Sequence, residues 1–81
     1  MFSAILADDE INILNLLEGL IDWNALNIKI AAKCMTGTET YQRILTETPD
    51  IVIIDIKMPG LSGLEVVRKI QEQNIFPNFI L

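Results

Sequence analysis

Apolar residues in this chain follow two rhythms. The first is the short unbroken run. Phe2-Ser3-Ala4-Ile5-Leu6-Ala7 is mostly apolar and stops at Asp8-Asp9-Glu10. Ile51-Val52-Ile53-Ile54 is β-branched or apolar throughout and ends on Asp55, with Pro49 before it and Pro59-Gly60 after it. Runs this short, bounded by breakers, read as strands buried on both faces, as in a parallel sheet. Ile28 to Met35 mixes Lys29 and Lys33 into a similar run, which suits a strand at a sheet edge, where charge discourages unwanted pairing. Asn78-Phe79-Ile80-Leu81 has the look of a fourth strand beginning.

The second rhythm is helical. Ile11, Leu14, Leu17 and Ile21 recur at three- and four-residue steps, and Ile13, Leu16 and Leu20 widen the stripe into a broad apolar face. Asp9 and Glu10 stand where the macrodipole of that helix favours negative charge. Gly19 lies inside the pattern, and Asp22-Trp23-Asn24 ends it. Trp23 and Leu26 are expected to fold back over the end of the core. Thr36 with Glu39 fits a capping box that opens a second helix, with Tyr41, Ile44 and Leu45 on its apolar face and Pro49 as its stop. Ser62 with Glu65 opens a third, with Leu64, Val67 and Ile70 facing the core, Val66 beside them, and Arg68, Lys69, Gln71 and Glu72 solvated. The order is strand-helix-strand-helix-strand-helix-strand. Such alternation predicts an α/β fold: a parallel sheet, helices on both faces and right-handed crossovers.

Composition narrows the function. The chain has 81 residues, room for one small domain, yet 51% of them are hydrophobic and the mean hydropathy is +0.38. That is much apolar matter for little interior, which points to self-association or to membership of a larger domain; a domain seldom ends on an unfinished apolar strand. Eleven acids against 6 bases leave a net charge of −5, with no basic cluster. Direct binding of nucleic acid or of an anionic membrane by this segment is therefore not expected. There is no His, which removes the commonest general base and a common metal ligand. Cys34 stands alone and forms no internal disulfide; it reads as a packed thiol. No signal peptide and no run of the roughly 20 apolar residues needed to span a bilayer is present, so a cytoplasmic setting is the default.

The chemistry lies in the acids. Two strands end on carboxylates, Asp8-Asp9 and Asp55. Turn formation and helix capping account for an Asp at a strand end, and Asp55 alone carries nothing more. Neighbouring parallel strands, however, bring their carboxyl ends side by side, and open α/β sheets place ligands there. Three carboxylates gathered in one place repel one another unless a cation neutralises them. An all-oxygen donor set suits a hard ion such as Mg²⁺, which favours one or two carboxylates together with phosphate oxygens. A carboxylate such as Asp55 can itself be the nucleophile and form an aspartyl-phosphate.

The segments Ile5-Leu6-Ala7-Asp8-Asp9-Glu10 and Pro49-Asp50-Ile51-Val52-Ile53-Ile54-Asp55-Ile56-Lys57-Met58-Pro59-Gly60, continued by Leu61-Ser62-Gly63-Leu64-Glu65, resemble the receiver domain of two-component response regulators. The resemblance runs over the whole chain. It implies a flavodoxin-like three-layer α/β/α fold with a parallel sheet, of which residues 1–81 are the N-terminal part, incomplete beyond the start of the fourth strand. It implies that Asp55 is the phosphoacceptor for a sensor histidine kinase. Asp8 and Asp9 match the acidic pair that binds Mg²⁺, Asp9 directly and Asp8 through water, with the backbone carbonyl of Lys57 as a further ligand. Met58-Pro59-Gly60 shapes the loop beside the site. Leu20-Ile21-Asp22-Trp23 followed by Leu26 is similar to receivers joined to AraC-type helix-turn-helix domains, which implies a C-terminal DNA-binding output domain and transcriptional regulation rather than an enzyme. The family's switch Thr or Ser after the fourth strand, and its Lys after the fifth, have no counterpart within these residues.

Two other readings use the same acids. Mg²⁺-dependent phosphatases with an aspartyl nucleophile commonly carry a second acid two residues on, and Lys57 occupies that place. An interaction or dimerisation scaffold would use the acids as caps only. An open fourth-strand edge and a thinly covered sheet face predict a homodimer or larger assembly of this segment.

Overall fold

The apolar runs pair side by side as parallel strands. The computed structural model describes residues 1–81, in the order β1 (Phe2–Ala7), α1 (Ile11–Leu20), β2 (Ile28–Cys34), α2 (Gly37–Glu47), β3 (Ile51–Ile54), α3 (Gly63–Glu72) and β4 (Asn78–Ile80). All pairings are parallel, and the strand order is β2-β1-β3-β4. The chain steps from β1 outward to β2, returns past β1 to β3, and continues to β4. Right-handed crossovers that travel in opposite directions place their helices on opposite faces. α1 therefore lies on one face, and α2 and α3 lie together on the other.

Burial follows that division. Ile5, Ala7, Val52 and Ile54 join Cys34, Ile44, Val66 and Ile70 in the main core, beneath α2 and α3. The alternate strand positions point to the α1 side, where Ala4, Leu6 and Leu14 are fully buried but Ile51 and Ile53 only half so. This face is thinly covered, and the broad apolar stripe expected on α1 is corrected accordingly. Ile11, Ile13, Leu16 and Leu20 are exposed, and Leu14 alone is buried. Leu26 is exposed too, whereas Trp23 does fold back, its indole N–H donating to the Leu17 carbonyl at 3.2 Å.

The other helices bury Ile44 and Ile70 as expected, but set small residues beside them in place of the large apolar ones. In α2 the buried positions are Gly37, Thr40 and Ile44, and Leu45 is exposed. The Thr40 hydroxyl escapes an unsatisfied burial by donating to the Thr36 carbonyl at 2.7 Å. In α3 the buried positions are Gly63, Val66 and Ile70, and Leu64 is exposed. Gly63 leads because this helix starts against the backbone of Asp55 and Ile56, where a β-carbon would collide. Lys69 is half-buried rather than solvated, its ammonium 5.6 Å from the centre of the Tyr41 ring.

Caps set the helix starts. Ser62 and Glu65 form a complete capping box, and hydrogen bonds from Ser62, its backbone foremost, hold the Glu65 carboxyl below the usual carboxylate range. The Thr36 box is half-formed: Thr36 Oγ1 accepts from the Glu39 N–H, but Glu39 reaches one residue further back, to the Met35 N–H. The edge strand β2 bulges at Ala31, since Ala4 pairs with Ile30 and Ile5 with Ala32. Lys33 on this edge pairs with Glu18 of α1 at 2.9 Å.

α2 ends on Thr48, whose φ of 45° and ψ of 60° lie in the left-handed region. A β-branched residue is strained there by about 1–2 kcal/mol, and glycine is not. Thr48→Gly is expected to stabilise the fold by about 1 kcal/mol, read as a higher urea midpoint.

Candidate functional site

β1 and β3 are neighbours and end level. Ala4 pairs with Ile51 and Ala7 with Ile54, so the residues that follow, Asp8 and Asp55, emerge side by side. Backbone bonds carry the ladder into the turns: the Asp55 N–H donates to the Ala7 carbonyl at 2.9 Å, and the Asp8 N–H to the Cys34 carbonyl at 3.0 Å. Strand order reverses between β1 and β3, which is where open α/β sheets form a crevice at their carboxyl ends.

One carboxylate oxygen from each of Asp8, Asp9 and Asp55 lies within 4.8 Å of the other two. Asp8 and Asp55 are half-buried and Asp9 is exposed. Three anions this close, with no Lys or Arg ion pair to any of them, form a local well of negative potential. The donor set is wholly oxygen and fits a hard divalent ion better than a soft one. Asp8 has a second task, because its Oδ1 accepts the Glu10 N–H at 2.9 Å and shapes the turn into α1. Glu10 is the cap residue of α1 and makes no side-chain capping bond, and no acid lies in that helix's first turn. Asp9 and Glu10 do stand at the amino end of α1, as expected from its macrodipole, and Asp8 adds the side-chain bond that shapes the turn.

Lys57 follows Asp55 in an exposed loop, and its carbonyl takes part in none of the chain's backbone hydrogen bonds. Met58 and Leu61, in the same loop, pack against the core. Pattern reading singled out this loop, but passed over what holds it. Gly63 donates to the Ile56 carbonyl at 2.7 Å and Gly37 to the Pro59 carbonyl at 3.0 Å. Glycines at two helix starts were the available signal.

Cys34 ends β2 level with Ala7 and is fully buried. Burial, with Glu39 nearby, pushes its thiol up from 9.0 to about 11. The unfolded thiol ionises first as pH rises, so this contribution is intact below pH 9 and is lost on the way to about pH 11. The loss amounts to about 2–3 kcal/mol. Urea unfolding at about pH 8 and about pH 11 should show that decline in the wild type and a smaller one in Cys34→Ala.

The model of the response regulator receiver domain matches residues 4–81. The uncharacterized transcriptional regulatory protein YesN of Bacillus subtilis is 40% identical over 81 residues, all of this chain and 22% of its own length. A protein-glutamate methylesterase/protein-glutamine glutaminase of Treponema denticola is 32% identical over 72 residues, 89% of this chain and 19% of its own. The chain thus spans about a fifth of the length of these curated relatives. Among solved structures, the receiver domain of AraT from Geobacillus stearothermophilus superposes with a TM-score of 0.87 at 30% identity, covering 95% of this chain and 58% of that one. No helix here is long and apolar enough to cross a membrane. The flavodoxin-like sheet, the level ends of β1 and β3 and the family match agree: this chain belongs to the response regulator receiver domain family.

Proposed function

We propose that the chain accepts a phosphoryl group on Asp55 from a sensor histidine kinase, with Mg²⁺ held by Asp8, Asp9, Asp55 and the Lys57 carbonyl. The observation that carries this reading is the gathering of three carboxylates within 4.8 Å at the switch point of a receiver fold. In the transfer, an oxygen of the Asp55 carboxylate attacks phosphorus, the phosphorus–nitrogen bond of the donor breaks, and the imidazole leaves with the electron pair and takes up a proton. Bound Mg²⁺ supplies charge neutralisation for the incoming phosphoryl oxygens. Asp9 would hold the ion directly. Asp8, whose Oδ1 accepts the Glu10 N–H, would hold it through water, as the family resemblance implies.

Residues 1–81 stand in this reading as the amino-terminal part of one receiver domain. The names of relatives such as YesN support a transcriptional output, and we assign DNA binding to a separate output domain of the whole protein. The acidic segment described here makes no direct contact with nucleic acid or membrane.

The test is an amide ¹H–¹⁵N spectrum with and without a trace of Mn²⁺. Broadening is expected to be confined to residues around Asp8–Glu10 and Asp55–Lys57. Broadening spread evenly over Glu18, Asp22, Asp50 and Glu72 would reject the shared site.

A further inference from the structure

Lys57 sits mid-loop between β3 and α3, and two helix starts grip that loop. Gly63 holds one end, through its bond to the Ile56 carbonyl. Gly37 holds the other. It is the first residue of α2, and its N–H donates to the Pro59 carbonyl at 3.0 Å. The first N–H groups of a helix have no partner inside it, so this bond satisfies an orphan donor and fixes the backbone two residues beyond Lys57. Gly37 is also buried against that backbone. A β-carbon there would overlap the Leu61 carbonyl, 2.5 Å from its carbon and 2.9 Å from the Leu61 Cα. The loop answers in kind. Gly60 has φ +80°, and a β-carbon on it would stand 2.5 Å from Thr38 Oγ1. Helix and loop interlock twice, each time through a side chain that is missing.

We infer that Gly37, backed by Thr38, is a positioning residue for the Lys57 carbonyl: the amino end of α2 sets how closely the β3–α3 loop approaches the three carboxylates. Gly37 offers no ligand atom. It acts by letting the Pro59–Leu61 backbone come close. The inference rests on the metal reading of Asp8, Asp9 and Asp55, and adds a determinant on an element that carries none of those acids. Mg²⁺ and its surrogate Mn²⁺ hold carbonyl oxygens at short, nearly fixed distances, so a loop displaced by about an ångström no longer supplies its ligand.

The experiment titrates Mn²⁺ into the wild-type protein and Gly37→Ala, with urea unfolding of each in parallel. In the folded variant, Mn²⁺ should bind about tenfold more weakly or worse, the usual scale for losing a residue that orients a ligand. The amide resonances of Lys57, Met58, Gly60 and Leu61 should also shift before any metal is added. Where Gly37→Ala does not fold, Gly60→Ala serves: it should weaken Mn²⁺ binding, and Thr38→Ala/Gly60→Ala, which removes the obstructing hydroxyl, should restore part of it. A variant that loses stability yet binds Mn²⁺ as tightly as the wild type overturns the inference, since its glycine is then only structural. A wild-type protein that binds no Mn²⁺ at the acids overturns the metal reading itself, before any variant is compared.

Discussion

Asp55→Asn is expected to reduce phosphoryl labelling from a phosphohistidine donor to background. Asn keeps the shape of Asp but lacks an anionic oxygen to attack phosphorus, so the effect is loss rather than attenuation. The same change removes one of three carboxylates from the cluster. A unit charge about 4 Å from a divalent ion contributes about 2 kcal/mol even at the dielectric constant of water. Mn²⁺ should therefore bind about thirtyfold more weakly, or worse. Asp50→Asn is the matched control. Asp50 lies at the opposite end of β3, where its Oδ2 accepts the Ser3 N–H at 2.8 Å. Asn keeps an acceptor for that N–H, so the change should cost no more than about 1 kcal/mol of stability and leave labelling and metal affinity unchanged. Equal labelling of wild type and Asp55→Asn would move the phosphoacceptor elsewhere, and the placement of Asp55 beside Asp8 would lose its meaning.

What could be foreseen from the residues divides along a physical line. The runs Phe2–Ala7 and Ile51–Ile54 could be placed at once, because a short β-branched segment between breakers has few alternatives. The three acids could be grouped because each follows such a run. Strand adjacency is another matter. That β1 lies beside β3 depends on pairings distant in sequence, and here the family resemblance supplied what periodicity alone does not. Helix faces were read less well. Leu64 and Leu45 look like core residues and are exposed, whereas Gly37, Gly63 and Thr40 do not and are buried. Hydrophobic patterning weighs side-chain size, but where a helix begins against a loop backbone, close approach selects the residue with least side chain. The Thr36 box is complete only in its first half. Glu39 accepts from the Met35 N–H instead of the Thr36 N–H.

The same distinction makes Leu14→Ala the most costly change expected on the thinly covered face of the sheet. Seven apolar residues of the stripe suggested a helix held along its length, yet Leu14 alone is fully buried. The remaining ties are slight: half-buried Leu17 and Ile21, the Trp23 bond to the Leu17 carbonyl, and the exposed Lys33–Glu18 pair. A pair of that kind contributes at most about 1 kcal/mol. Truncating a buried Leu to Ala costs about 2–5 kcal/mol. For a chain of this size that is a large share of the whole stability, which lies at about 4–12 kcal/mol. α1 should accordingly detach before the rest unfolds. Amide exchange in Leu14–Leu20 should accelerate by about thirtyfold or more, while Val66 and Ile70, in the core on the other face, keep more of their protection. Leu16→Ala, on an exposed position of the same helix, should change stability by less than about 0.5 kcal/mol. Metal affinity supplies the link to the site, because the Asp8–Glu10 turn leads directly into α1. If a single side chain holds α1, Leu14→Ala should weaken Mn²⁺ binding and Leu16→Ala should not. Equal costs for the two variants would show instead that the whole stripe carries the helix, as the spacing of its apolar residues first suggested.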